Sequence, residues 1–109
     1  MRQSDISFLE KELDTFIDTA IVRVSKSGEM HHRFRITSAQ LKEGTDRQRL
    51  QEALLDEVGE FFRGAGASAQ FDDQRSSFSV SVDLNRVELN SRQADRLNTA
   101  IEFHRADLE

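Results

Sequence analysis

Apolar residues first recur at helical spacing. Ile6, Leu9, Leu13, Phe16 and Ile17 share one face of a helix predicted over residues 5–18, while Glu10, Lys11, Asp14 and Asp18 fall mostly elsewhere. Ser4 or Asp5 is placed to cap the free N–H groups of its first turn. The period then shortens to two. Ala20, Val22 and Val24 alternate with Ile21, Arg23 and Ser25; Lys26-Ser27-Gly28-Glu29 reads as a turn; Met30, His32, Phe34 and Ile36 alternate with His31, Arg33, Arg35 and Thr37. Two β-rich runs around a glycine-containing turn predict a hairpin. A competing reading carries the first helix on to Val24, because Ala20 also continues its stripe, but the β-branched Ile21, Val22 and Val24 favour the strand.

Thr45-Asp46-Arg47-Gln48 has the spacing of a capping box, and a helix is predicted from it to about Arg63, with Leu50, Leu54, Val58 and Phe61 on one face and Phe62 beside them. Gly64 and Gly66 are suited to ending that helix. Ala67, Ala69 and Phe71 alternate with Ser68, Gln70 and Asp72. After a turn at Asp73-Gln74-Arg75, Phe78, Val80, Val82 and Leu84 alternate with Ser77, Ser79, Ser81 and Asp83, which makes a second hairpin. A last helix begins at Asn90 or Ser91, with Gln93 as box partner of Asn90 and a stripe of Ala94, Leu97, Ile101 and Leu108. The expected fold is therefore α+β: a two-layer α-β-β-α-β-β-α arrangement in which helices cover one face of a four-stranded antiparallel sheet.

Composition adds bounds to this picture. At 109 residues, without proline or a Gly/Ser linker, the chain suits a single domain over 1–109, and the 29 Leu, Ile, Val and Phe residues are enough for a packed core. Leu108-Glu109 has the form of a cloning scar and is given no functional weight. The absence of cysteine removes disulfides, thiol nucleophiles and Cys-type zinc sites. The charge-studded stretch from Met1 to Phe16 lacks the apolar core of a signal peptide, and no apolar run approaches the ~20 residues of a membrane span. A cytoplasmic location is the expectation. A net charge of −5 offers no general attraction to nucleic acid or to anionic membranes.

The candidate chemistries weaken on inspection. His31 and His32 are adjacent, so on a strand they point to opposite faces, and His104 has no patterned ligand partner; no metal is expected. The glycines of Arg63-Gly64-Ala65-Gly66-Ala67 close a helix, whereas a phosphate-binding loop would open one. No serine sits in a nucleophile elbow, Asp72-Asp73 belong to a turn, and Glu57 and Glu60 lie on the exposed side of a helix. Neither a catalytic constellation nor a cofactor is expected.

Two surfaces remain. With apolar positions turned toward the helices, Arg23, His31, Arg33 and Arg35 on the first hairpin, and Gln70, Ser77, Ser79 and Ser81 on the second, face away. That face reads either as a simply solvated strand surface or as a basic patch for an acidic partner. Phe34, Phe71 and Phe78 fall on the inner face, so base stacking is disfavoured and nucleic-acid backbone binding is the lesser alternative. Phe8 and Phe103 lie off the apolar stripes of their helices. Single exposed rings are common, but if the terminal helices are neighbours these two form one patch for a homodimer or another protein partner. The expectation is a small non-enzymatic interaction protein, an adaptor, inhibitor or chaperone-like subunit.

Overall fold

The computed structural model describes residues 1–108. The chain runs α1 (Gln3–Ser27), β1 (His31–Thr37), α2 (Ser38–Gly44), α3 (Glu52–Gly64), β2 (Ser68–Asp72), β3 (Ser77–Asp83) and α4 (Ser91–Leu108). It is an α+β fold with a three-stranded antiparallel sheet in the order β1-β3-β2. The sheet has three strands and not the four expected, because residues 20–24 belong to α1. Strand preference of β-branched residues is weak and yields to tertiary packing. Here Ala20, Ile21 and Val24 extend the buried stripe begun by Leu9, Leu13, Phe16 and Ile17. Gly28 then ends the helix in the left-handed conformation, at φ 74°, with its N–H donating to the Val24 carbonyl at 2.8 Å. The turn expected at Lys26–Glu29 is thus a helix stop.

The second correction concerns Thr45. The box that forms is eight residues earlier, where the Gln40 N–H donates to Thr37 Oγ1 at 3.1 Å and the Thr37 N–H donates to Gln40 Oε1 at 2.8 Å, opening α2. Thr45 closes that helix, donating its hydroxyl to the Leu41 carbonyl at 2.6 Å, and α3 starts only at Glu52. The expected buried stripe of α3 is rotated: Leu54, Val58, Gly59 and Phe62 are buried, while Leu50 and Phe61 are half-buried.

The second hairpin forms as the alternation predicts, with Phe71 opposite Phe78 and Ala69 opposite Val80. On the other side of β3, His32 meets Val82, Phe34 meets Val80 and Ile36 meets Phe78. These inner residues face α1 and α3; Phe16 of α1 stacks on Phe34 with centroids 4.7 Å apart. Asn90 and Gln93 form the expected reciprocal cap at 2.8 and 3.1 Å. Beyond it, α4 packs chiefly against α1 and not on the sheet. Its contact stripe is correspondingly narrow: Gln93, Leu97 and Ala100 are buried, Ala94 and Ile101 are half-buried, and Leu108 is exposed. No described helix is long and apolar enough to cross a membrane.

Candidate functional site

The alternation of β1 sets two environments side by side. On its inner face His32 is buried and donates Nε2–H to the Glu29 carbonyl at 2.7 Å, and Ile36 is fully buried. On its outer face His31, Arg33 and Arg35 are exposed. Register extends this outer face across the sheet: Arg33 lies opposite Ser81, which lies opposite Ser68; Arg35 lies opposite Ser79, which lies opposite Gln70. Arg33, Arg35, Ser68, Gln70 and Ser79 are exposed and Ser81 is half-buried, so this face is polar and open. Ser77, expected there as a solvated residue, is instead buried beside the junction where Ser38 donates its N–H and hydroxyl to the Ser76 carbonyl at 2.8 and 2.9 Å.

Arg23 does not join this face. As a residue of α1, it sits on the helix side of the sheet, its guanidinium carbon 4.9 Å from the centre of the Phe34 ring in a cation–π contact. Positive charge therefore flanks β1 from both sides, Arg33 and Arg35 without and Arg23 within. Among the described residues, the ion pairs engage Arg2, Arg47, Arg75, Arg86, Arg92 and Arg96, and none of these three arginines has a carboxylate partner.

Phe8 and Phe103 are likewise not brought together. Phe8 is half-buried, its ring packed against Gly44 of α2 where any Cβ would collide with it. It belongs to the packing between α1 and α2. Phe103 is 66% exposed near the far end of α4. The two terminal helices run parallel from Asp14 and Gln93, where Gln93 Nε2 donates to Asp14 Oδ1 at 3.3 Å, through Asp18 with Arg96, to Gly28 with His104. Phe103 consequently falls beside Val22 and Ser25, more than three helical turns along α1 from Phe8.

Between the helices at that end lies an apolar groove of about 420 Å³, lined by Ile21, Val22, Ser25, Thr99, Ala100 and Phe103 with Asp95 and Arg96 at its rim. Val22, 48% exposed, is the residue that the sequence reading missed, since a strand assignment hides that it sits on the outer side of a helix next to Phe103. The signal for it is the continuation of the α1 stripe through Ala20 to Val24. Among the described residues, no three His, Asp or Glu side chains converge as a metal cage requires. Comparison with known proteins gave no match: no family model, curated protein or solved structure is similar to this chain.

Proposed function

We propose that the chain is a small non-enzymatic interaction protein, an adaptor, inhibitor or chaperone-like subunit, that works as a homodimer joined through the α1/α4 groove. The observation that carries this reading is Phe103: a large ring, 66% exposed, standing beside an apolar hollow on the same surface. A two-fold interface is self-complementary, so each copy must offer both a projection and a recess. Phe103 is the projection, and the small side chains of Ser25, Thr99 and Ala100 leave the recess. Asp95 and Arg96, the latter already 3.8 Å from Asp18 of its own chain, border the same groove. Light scattering tests it. Wild type is expected at dimer mass and Phe103→Asp at monomer mass; as the ring is exposed, the substitution changes folding stability by no more than about 0.5 kcal/mol. A monomeric wild type, or a variant still dimeric, would sink the proposal.

A second reading, nucleic-acid backbone binding, draws on His31, Arg33 and Arg35, which share one uncovered face. Against it, Phe34, Phe71 and Phe78 lie on the inner side of the sheet, so this face offers no ring for bases to stack on. A fluorescence-polarisation titration at low salt with single-stranded and duplex DNA decides it, and lack of binding to both removes it.

A further inference from the structure

We infer that the free edge of β1 receives an acidic, extended peptide segment of a partner protein as a fourth strand. The inference rests on reading the chain as an interaction protein, though not on its dimerisation. A strand at a sheet edge presents a row of backbone N–H and C=O groups, and an incoming strand satisfies them. The two edges of this sheet differ. At the β2 edge, Arg63 of α3 donates Nη1–H to the Ala69 carbonyl at 3.1 Å, so a side chain already engages that backbone. β1 is longer, pairs with β3 over all seven residues from His31 to Thr37 in unbroken register, and contains no proline or bulge. Such an uninterrupted edge is a ready template for pairing.

Charge decides what pairs there. Were the occupant a second copy of β1, antiparallel pairing centred on Phe34 would place Arg33 opposite Arg35 on the open face, twice over. Centring on Arg33 or Arg35 would set arginine against arginine. Like charges directly opposite one another destabilise a strand pair. A carboxylate-bearing strand meets the reverse situation, because Arg33 and Arg35 are exposed and have no carboxylate partner among the described residues. Successive residues of a strand alternate faces, so acids opposite Arg33 and Arg35 put the intervening residue opposite Phe34, whose half-buried ring is stacked on Phe16. The motif recognised is acid-apolar-acid, with Arg23 over the Phe34 ring as a further cation on the inner side.

The probe is a fluorescent seven-residue peptide of alternating Glu and Val, compared with its Lys/Val counterpart and with a Glu/Val peptide N-methylated at alternate backbone amides. Wild type is expected to bind the Glu/Val peptide, to bind the N-methylated form at least about tenfold more weakly, and to ignore the Lys/Val form. Arg33→Glu with Arg35→Glu is expected to reverse the charge preference. N-methylated and plain peptides bound within a factor of about two of each other would overturn strand addition. Equal displacement of the peptide by a short duplex DNA would overturn it too, in favour of a general polyanion site. Repeating the titration on Phe103→Asp separates the two proposals: peptide binding is expected unchanged in the monomer, so a failure of the dimer shows in mass and a failure of the strand site shows in the peptide comparison.

Discussion

Asp5 is a carboxylate with no solvent exposure, in the first turn of α1. Its Oδ2 accepts the Arg2 N–H at 2.9 Å, and its Oδ1 lies 2.9 Å from Arg47 Nη1. Arg2 in turn donates to the Thr45 carbonyl, so one acidic group ties the start of α1 to the connection between α2 and α3. Burial alone would raise its pKa. The Arg47 guanidinium, the Arg2 N–H and the Arg2 charge outweigh burial and hold the carboxyl below its ordinary value of 3.8. A depressed folded-state pKa means stabilisation that is complete above the ordinary value and is lost as pH falls through the lower, folded one. Asp5→Asn keeps the shape but leaves Arg47 partly buried without its counter-charge, which is expected to cost about 3 kcal/mol at neutral pH. Chemical denaturation of both proteins from neutral pH to well below 3.8 checks it. The gap is expected to close in acid; a pH-independent gap would mean that packing, not charge, accounts for the loss. Gly66 illustrates a different residue-scale constraint. It has φ 90°, and a Cβ there would lie 2.6 Å from the Arg86 carbonyl oxygen, so the close approach of the α3–β2 and β3–α4 connections requires glycine.

Among the elements, α4 stands apart because it rests chiefly on α1 and buries only Gln93, Leu97 and Ala100. Its N-terminal box is then a large share of what holds it in place. Asn90→Ala is expected to cost about 1 kcal/mol, and hydrogen exchange should quicken along α4 while β3 amides keep their protection. Uniform acceleration would show instead that α4 opens only with the whole fold. That box was legible in the sequence, as were the second hairpin and β1, because each combines a local chemical signal with a period that only one structure satisfies. Residues 20–24 were not. Alternation groups Ala20 with Val22 and Val24, the helical stripe groups Ala20 with Ile21 and Val24, and what resolves them is long-range: α4 and the sheet pack against α1. Residues 37–48 show the same limit in capping chemistry. Thr37–Gln40 and Thr45–Gln48 have identical spacing, and only the position of β1 makes the first a helix start. The candidate site inherits both outcomes. His31, Arg33 and Arg35 fall where strand alternation puts them, and Phe103 is exposed as its off-stripe position suggests. Arg23 and Val22 were misplaced with the segment that carries them, and Phe8 proves to be a packing residue over Gly44.

At the scale of the fold, the α1/α4 groove and the arginines of β1 are distinct surfaces, and this makes the two proposed contacts respond oppositely to salt. The described structure extends 51 × 29 × 20 Å, a thin body with the groove between α1 and α4 on the helix side and the arginine-bearing edge on the sheet. The chain carries a net charge of −5, so two copies repel one another over long range, and added salt screens that repulsion. An acidic segment approaching Arg33 and Arg35 is attracted at short range through exposed charges, and added salt screens that attraction instead. With a Debye length of about 30 Å at 0.01 M and about 8 Å at 0.15 M, both effects are large over this range. Raising ionic strength between those limits is therefore expected to keep or tighten the dimer by light scattering while weakening Glu/Val peptide binding about tenfold in the same samples. Joint weakening would make the groove contact electrostatic after all, with Asp95 and Arg96 as its principal contributors and Phe103 incidental. Peptide binding indifferent to salt would remove Arg33 and Arg35 from recognition and leave only the backbone edge of β1.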